Sequence, residues 1–425
     1  MECYAFISMV TAPTLPAFTR VAQLAADRRV HKAFQWIHLH ERQIMRWQTD
    51  LVTIPAPPFA EGPRAEWLCA RFTDLGLSNV HTDAIGNAIG IKKSAAPSEQ
   101  AVLISAHIDT VFPAETPIKP RTRNTRLEAP GACDNGAGVA CLLALAAALQ
   151  HADLAPACDI LFCGNVGEEG EGNLRGTRHL YQQPDFAERI AAHLVIDGAG
   201  DEVAVTKALG SRRYQVTLDG PGGHSWANAD RPNPIVVLSQ AIARLSALDL
   251  NQPLSTSQRT TMNVGTIAGG TATNVIPSSA SARFDFRSTS PEQLIRLEVE
   301  LHRAVEDAVL AANQAAPDAA LIGAALNYAI SNIGARPAGA LPEDSSLYQL
   351  LRAVDRHLSI ATQTRTASTD ANIPLSLGVP ALSLGAGGSG GGIHTLNEWY
   401  DAKNRESGLR RVLLLMLAAA ESAAA

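Results

Sequence analysis

Six side chains in this sequence combine donor types that hold divalent metal and cleave bonds with water: His107, Asp134, Glu168, Glu169, Asp197 and His394. His107 stands two residues before Asp109 at the end of the apolar run AVLISAH. At that spacing both side chains of an extended segment point to the same face. Imidazole is a common zinc ligand, and a nearby carboxylate commonly holds its second ring nitrogen. Asp134 lies in a glycine-rich turn, GACDNGAGVACLL, that opens a helical stretch, where an Asp could equally be a cap. Glu168 and Glu169 are adjacent acids in GNVGEEGEGNLRG, and two such charges beside a buried strand end repel unless a cation lies near. Asp197 follows an apolar run in VIDGAG, and His394 follows a glycine-rich loop in GGGIHTLNEWYD. Taken singly, these are a polar strand end, a cap, an acidic turn and a loop histidine. Together they are a mixed imidazole and carboxylate set, which suits zinc or a related divalent ion. Two ions sharing one carboxylate would activate water and polarise a carbonyl.

The elements around these residues must bring them to one place. AVLISAH (101–107), CDILFCGNV (158–166) and HLVID (193–197) are continuous apolar runs of the kind that form fully buried parallel strands. A buried helix is expected over 136–150, between the first two. Strands alternating with helices imply an α/β layer whose sheet is mixed and mostly parallel, with helices on both faces. Ligands in such sheets collect at the carboxyl ends of the strands, where these acids stand. Near residue 210 the pattern changes. RRYQVTLDG (212–220) alternates polar and apolar residues, as a half-exposed antiparallel strand does. A helix near 233–248, strands at 261–267 and 281–287, and a long helix from Pro291 complete a small α+β insertion. The expected division is a catalytic domain over 1–208 and 335–425, interrupted by the α+β unit at 209–334. Residues 1–50 read as a polar, partly helical extension.

Composition restricts the function further. The chain has 425 residues, about 46% of them apolar and 18% charged, with a formal net charge of −6, a profile of folded globular domains. It lacks a basic cluster with interleaved aromatics, so nucleic acid is not an expected partner. No apolar run is long enough to span a bilayer, and the N-terminus lacks the basic start and apolar core of a signal peptide. The six cysteines form no CxxC pair and lie mostly in apolar runs, which fits a reducing, cytoplasmic location.

The order His-x-Asp, Asp-Asn-x-x-Gly, Glu-Glu, Asp and a late His resembles the zinc exopeptidase superfamily. That group contains peptidase T, carboxypeptidase G, aminoacylase, acetylornithine deacetylase and succinyl-diaminopimelate desuccinylase. The resemblance runs from about Ile54 to the C-terminal helix. It implies that His107 and Asp197 bind one zinc, that Glu169 and His394 bind the other, and that Asp134 bridges them; cobalt or manganese could take the same places. It implies that Glu168 is the general base, taking a proton from the attacking water and passing it to the leaving amine. Asp109 would orient His107, and the Asp134–Asn135 peptide would be cis. The insertion would be a lid and homodimer contact. In it, His224 of GPGGHSWA would donate to the developing oxyanion, in the partner subunit's site. Asn274 of GGTATNVIP would touch substrate, and Arg287 of SARFDFRS would hold a substrate carboxylate or simply form a strand-surface ion pair. The expected substrate is a short peptide, cut by a peptidase T-like exopeptidase, with an N-acyl amino acid deacylase or a dipeptidase as the alternative. GEEGEGNLRG and the TDAN segment at 369–372 motivate that lean. A catalytically silent metal-binding relative would be expected to lack one of the six positions, and all are filled. Two departures stand out: Cys133 directly before Asp134, and a glycine run at 387–392 that would either offer backbone N–H groups to a carboxylate or be flexible.

Overall fold

The computed structural model describes residues 15–250, 259–316 and 325–425, and the chain divides into two compact units. One runs up to Ala208 and resumes from Ala340 to Ala425; the other is Leu209–Gly339.

The first unit is built on a mixed sheet. Four neighbouring strands, Asp159–Asn165, Ala101–His107, Ile190–Ile196 and Ala381–Leu384, run parallel in that order. Ala88–Lys92 and Val203–Ala208 flank them antiparallel. Side chains on the central strands alternate between two apolar clusters. Val102, Ile104 and Ala106 enter one, and Ala101 and Leu103 enter the other. Both faces are therefore buried, which is why these strands read as unbroken apolar runs. Helices Arg175–Tyr181 and Asn372–Ser376 lie on the second face.

Helix Gly136–His151 packs on the first face and is buried from Gly136 to Leu149 on all its sides. A helix apolar all round must be covered all round. The cover comes from the N-terminal segment, which is integral to this unit rather than a polar extension. Helices Arg28–Leu39 and Glu41–Val52 are amphipathic, burying Val30, Ala33, Trp36 and Ile37, and Ile44, Gln48, Leu51 and Val52. These apolar residues share one cluster with Leu142, Leu145 and the C-terminal helix Arg405–Ala423.

The second unit is an antiparallel sheet ordered Thr260–Gly269, Ser279–Ser288, Gly210–Asp219 and Asn327–Arg336. Helices Pro234–Ser246 and Pro291–Ala315 cover one face, packing on Tyr214, Val216, Leu218, Phe284 and Phe286. The strand Asn327–Arg336 carries this unit beyond residue 334, because it pairs along Gly210–Asp219. The cysteines at 69, 133, 141, 158 and 163 are free, while Cys3 lies outside the described residues. Among the described residues no helix is long and apolar enough to cross a membrane.

Candidate metal centre

The parallel strands deliver their carboxyl ends to one edge, and the six chemistry-bearing residues stand there. His107 ends its strand, Glu168 and Glu169 follow Asn165, Asp197 follows Ile196, and His394 lies beyond Leu384. Asp134 sits immediately before helix Gly136–His151, whose N-cap Asn135 accepts from the Gly138 N–H. The peptide between Asp134 and Asn135 is cis.

Asp134 is the centre of the arrangement. Its Oδ1 lies 3.0 Å from His107 Nε2, and its Oδ2 lies 3.0 Å from His394 Nε2. His394 Nε2 is also 2.9 Å from Glu169 Oε1, and His107 Nε2 is 3.9 Å from Asp197 Oδ1. His107, Asp134 and Glu169 each present one ligand atom within 4.8 Å of the others. His107, Glu168 and Glu169 are buried, whereas the His394 side chain is half exposed.

The electrostatics follow from crowding acids and imidazoles together. Burial, and then the charge on Asp134, push Asp197 up to about 7. Burial raises Glu169 as well. The hydrogen bond to Asp134 leads in pushing His394 up to about 9. His107 is raised although burial opposes its charged form, because Asp109 and Asp134 outweigh that penalty. These carboxylates repel one another, and they draw positive charge onto the two imidazoles. Two imidazole nitrogens facing three carboxylates at strand ends are a donor set that fits divalent cations.

Asp109 does more than accompany His107. His107 Nδ1 lies 3.2 Å from the Asp109 main-chain oxygen and 3.5 Å from its Oδ1. The carboxylate oxygens accept the N–H groups of Glu168 and Glu169.

Sequence reasoning missed several supports. Glu398 is buried and accepts three main-chain N–H groups from Gly131, Cys133 and Asp134. The Gln48 side-chain amide donates to the Ala132 carbonyl at 2.6 Å, and Arg405 donates to Gln48 Oε1. Asn135 Nδ2 donates to the Ile196 carbonyl, and its Oδ1 accepts from Gly198. Arg64, also buried, donates to the carbonyls of Ile54 and Ile108. The only local hint was an acid four residues after His394. Asp370 of the TDAN segment is likewise a brace, accepting from Asn165 and Thr177.

The two departures turn out to be one feature. Residues Ser389–Gly391 form a strand paired with Trp399–Asp401, so this part of the glycine run is ordered structure. A Cβ at Gly390 would strike the Cys133 sulfur. Burial, followed by the charges of Glu398 and Asp134, pushes the Cys133 thiol up to about 12, so it packs there as a neutral side chain.

In the inserted unit, His224 and Asn274 stand together. His224 pairs with Val275 in a short ribbon, and the Ser225 N–H donates to the Asn274 carbonyl. His224 Nδ1 lies 3.2 Å from the Trp226 N–H and accepts it, which leaves the ring proton on Nε2. Arg287 lies elsewhere, on strand Ser279–Ser288, with Nε 2.7 Å from Asp285 Oδ2 in an ion pair along its own strand.

Residues 103–418 match peptidase family M20/M25/M40. A probable carboxypeptidase of Aspergillus clavatus is 26% identical over 258 residues, spanning 56% of this chain and 56% of that protein. A succinyl-diaminopimelate desuccinylase of Sphingopyxis alaskensis is 27% identical over 56% of this chain and 66% of its own length. The chain thus aligns with just over half to about two thirds of these two relatives. Aminopeptidase PepT of Bacillus cereus has the same fold, with a TM-score of 0.71 and 20% identity over 89% of this chain and 99% of that one.

Proposed function

This chain belongs to peptidase family M20/M25/M40, and we propose that within it the chain is a two-zinc exopeptidase cleaving an amide bond in a short peptide. The observation that carries this reading is the convergence of two imidazoles on Asp134, with Glu169 and Asp197 beside them. Asp134 would bridge the pair, His107 and Asp197 would hold one ion, and Glu169 and His394 the other. Bound there, divalent ions supply Lewis acidity to the scissile carbonyl and lower the pKa of water.

The chain's own residues do the rest. Glu168 takes a proton from the attacking water and hands it to the leaving nitrogen, a role open to it because the ligand set is complete without it. Asp109 holds the main chain of Glu168 and Glu169 in place. His224, with its proton on Nε2, donates to the oxyanion, supplied by the partner of a homodimer formed through the inserted unit. Asn274 beside it contacts the substrate. Arg287 would take a substrate carboxylate only by leaving Asp285. The free, mostly buried thiols fit a cytoplasmic location.

A deacylase of N-acyl amino acids would use the same ligands, and the desuccinylase relative keeps that second reading open. One experiment separates them. Protein purified without chelator is analysed for metal and offered dipeptides, tripeptides and N-acyl amino acids. About two ions per chain and chelator-sensitive cleavage of peptides are expected. Preference for N-acyl amino acids would favour the deacylase, and failure to take up zinc would overturn the site.

A further inference from the structure

We propose that Glu398 is a positioning residue that sets where Asp134 stands between the two imidazoles; the inference rests on the metal-site reading above. Glu398 Oε1 accepts the N–H groups of Cys133 and Asp134, each at 2.8 Å, and Oε2 accepts that of Gly131 at 2.8 Å. Three N–H groups converging from one turn form a concave donor nest. Water or an amide would fill such a nest less well. A carboxylate is acceptor-only, with lone pairs for every donor, whereas an amide must turn its own N–H toward one of them.

The placement of Glu398 gives the contact its consequence. It lies four residues after His394, and its N–H donates to the Thr395 carbonyl in the same turn. Its carboxylate therefore ties the turn that carries His394 to the loop that carries Asp134. In the same loop, the Ala132 carbonyl accepts from Gln48. The loop is thus held both by its donors and by one of its acceptors.

Zinc affinity of the metal-free protein, measured by competition with a chromophoric chelator, tests the inference. Glu398→Gln keeps the shape but spoils the acceptor set, and should weaken zinc binding roughly 10- to 100-fold, as loss of groups supporting metal ligands does. Its circular dichroism without metal should stay near that of the unaltered protein, with the unfolding midpoint modestly lowered because one buried N–H loses its acceptor. Glu398→Asp keeps the charge with a shorter reach and should recover part of the affinity; it decides the matter if Glu398→Gln does not fold. Unchanged zinc affinity in either folded variant, or a lowered midpoint with unchanged affinity, would overturn the positioning role alone. An unaltered protein that takes up no zinc would overturn the metal site, and this inference with it.

Discussion

The carboxylate of Asp109 grips Glu169 through the main chain: its Oδ2 accepts the Glu169 N–H at 2.8 Å, while its Oδ1 accepts that of Glu168 at 3.0 Å. One acid at the end of a strand thereby places the candidate base and a candidate ligand, which stand on a neighbouring strand end. Asp109→Asn leaves one acceptor oxygen for two donors and turns an amide N–H against the other. Zinc affinity and kcat/KM should each fall about 10- to 100-fold. Zinc titration with steady-state kinetics checks this, and unchanged values would reduce Asp109 to a passive neighbour.

Glu168→Ala should separate binding from turnover. The five expected ligands remain, so metal content should match the unaltered protein while kcat falls about 10²- to 10⁴-fold, as for a lost general base. Elemental analysis and kinetics on the same preparation decide it. Near-normal turnover would sink the assigned mechanism.

His224→Ala should lower kcat about 10²- to 10³-fold with little change in metal content, in line with a lost oxyanion donor. Mixing it with Glu168→Ala tests whether the site is shared. Subunits that exchange should regain activity, because one hybrid site then holds both residues. A mixture that stays inactive after subunit exchange argues against sharing.

Away from the site, His193 gives a pH prediction. The ring is fully buried between the Ser105 and Tyr181 hydroxyls, and burial pushes it down to about 3 from an ordinary value of 6.5. The folded pKa lies below the unfolded one, so the unfolded chain binds the proton first. The associated stability is complete above pH 6.5 and is lost as pH falls through the window down to about 3. The slope from this one group is at most about 1.4 kcal/mol per pH unit. Urea unfolding midpoints from pH 7 to 4 should fall less steeply in His193→Gln than in the unaltered chain; equal slopes would assign the acid sensitivity to other groups.

The central strands and the all-round buried helix were legible because burial on two faces writes itself locally as an unbroken apolar run. The α+β character of the insertion was legible for the complementary reason. Residues 212–219 alternate, since the described helices Pro234–Ser246 and Pro291–Ala315 cover one face of that sheet. The N-terminal helices were misjudged as a polar extension because their apolar stripes are narrow. Helix Gly136–His151, apolar on the side facing away from the sheet, and the C-terminal helix Arg405–Ala423 give those stripes something to cover.

The sequence alone marked the candidate site residues: His107, Asp134, Glu168, Glu169, Asp197 and His394 carry their chemistry in their type, and most stand in glycine-containing turns near apolar runs. Tertiary structure alone decided what holds them. Glu398 meets the Asp134 N–H across 264 residues of chain, and Gln48 meets the Ala132 carbonyl across 84. An acid or an amide in a polar segment looks like any other until the fold sets main-chain donors or acceptors against it. Main-chain N–H and C=O groups are the same at every residue, so no side-chain pattern records where they will point.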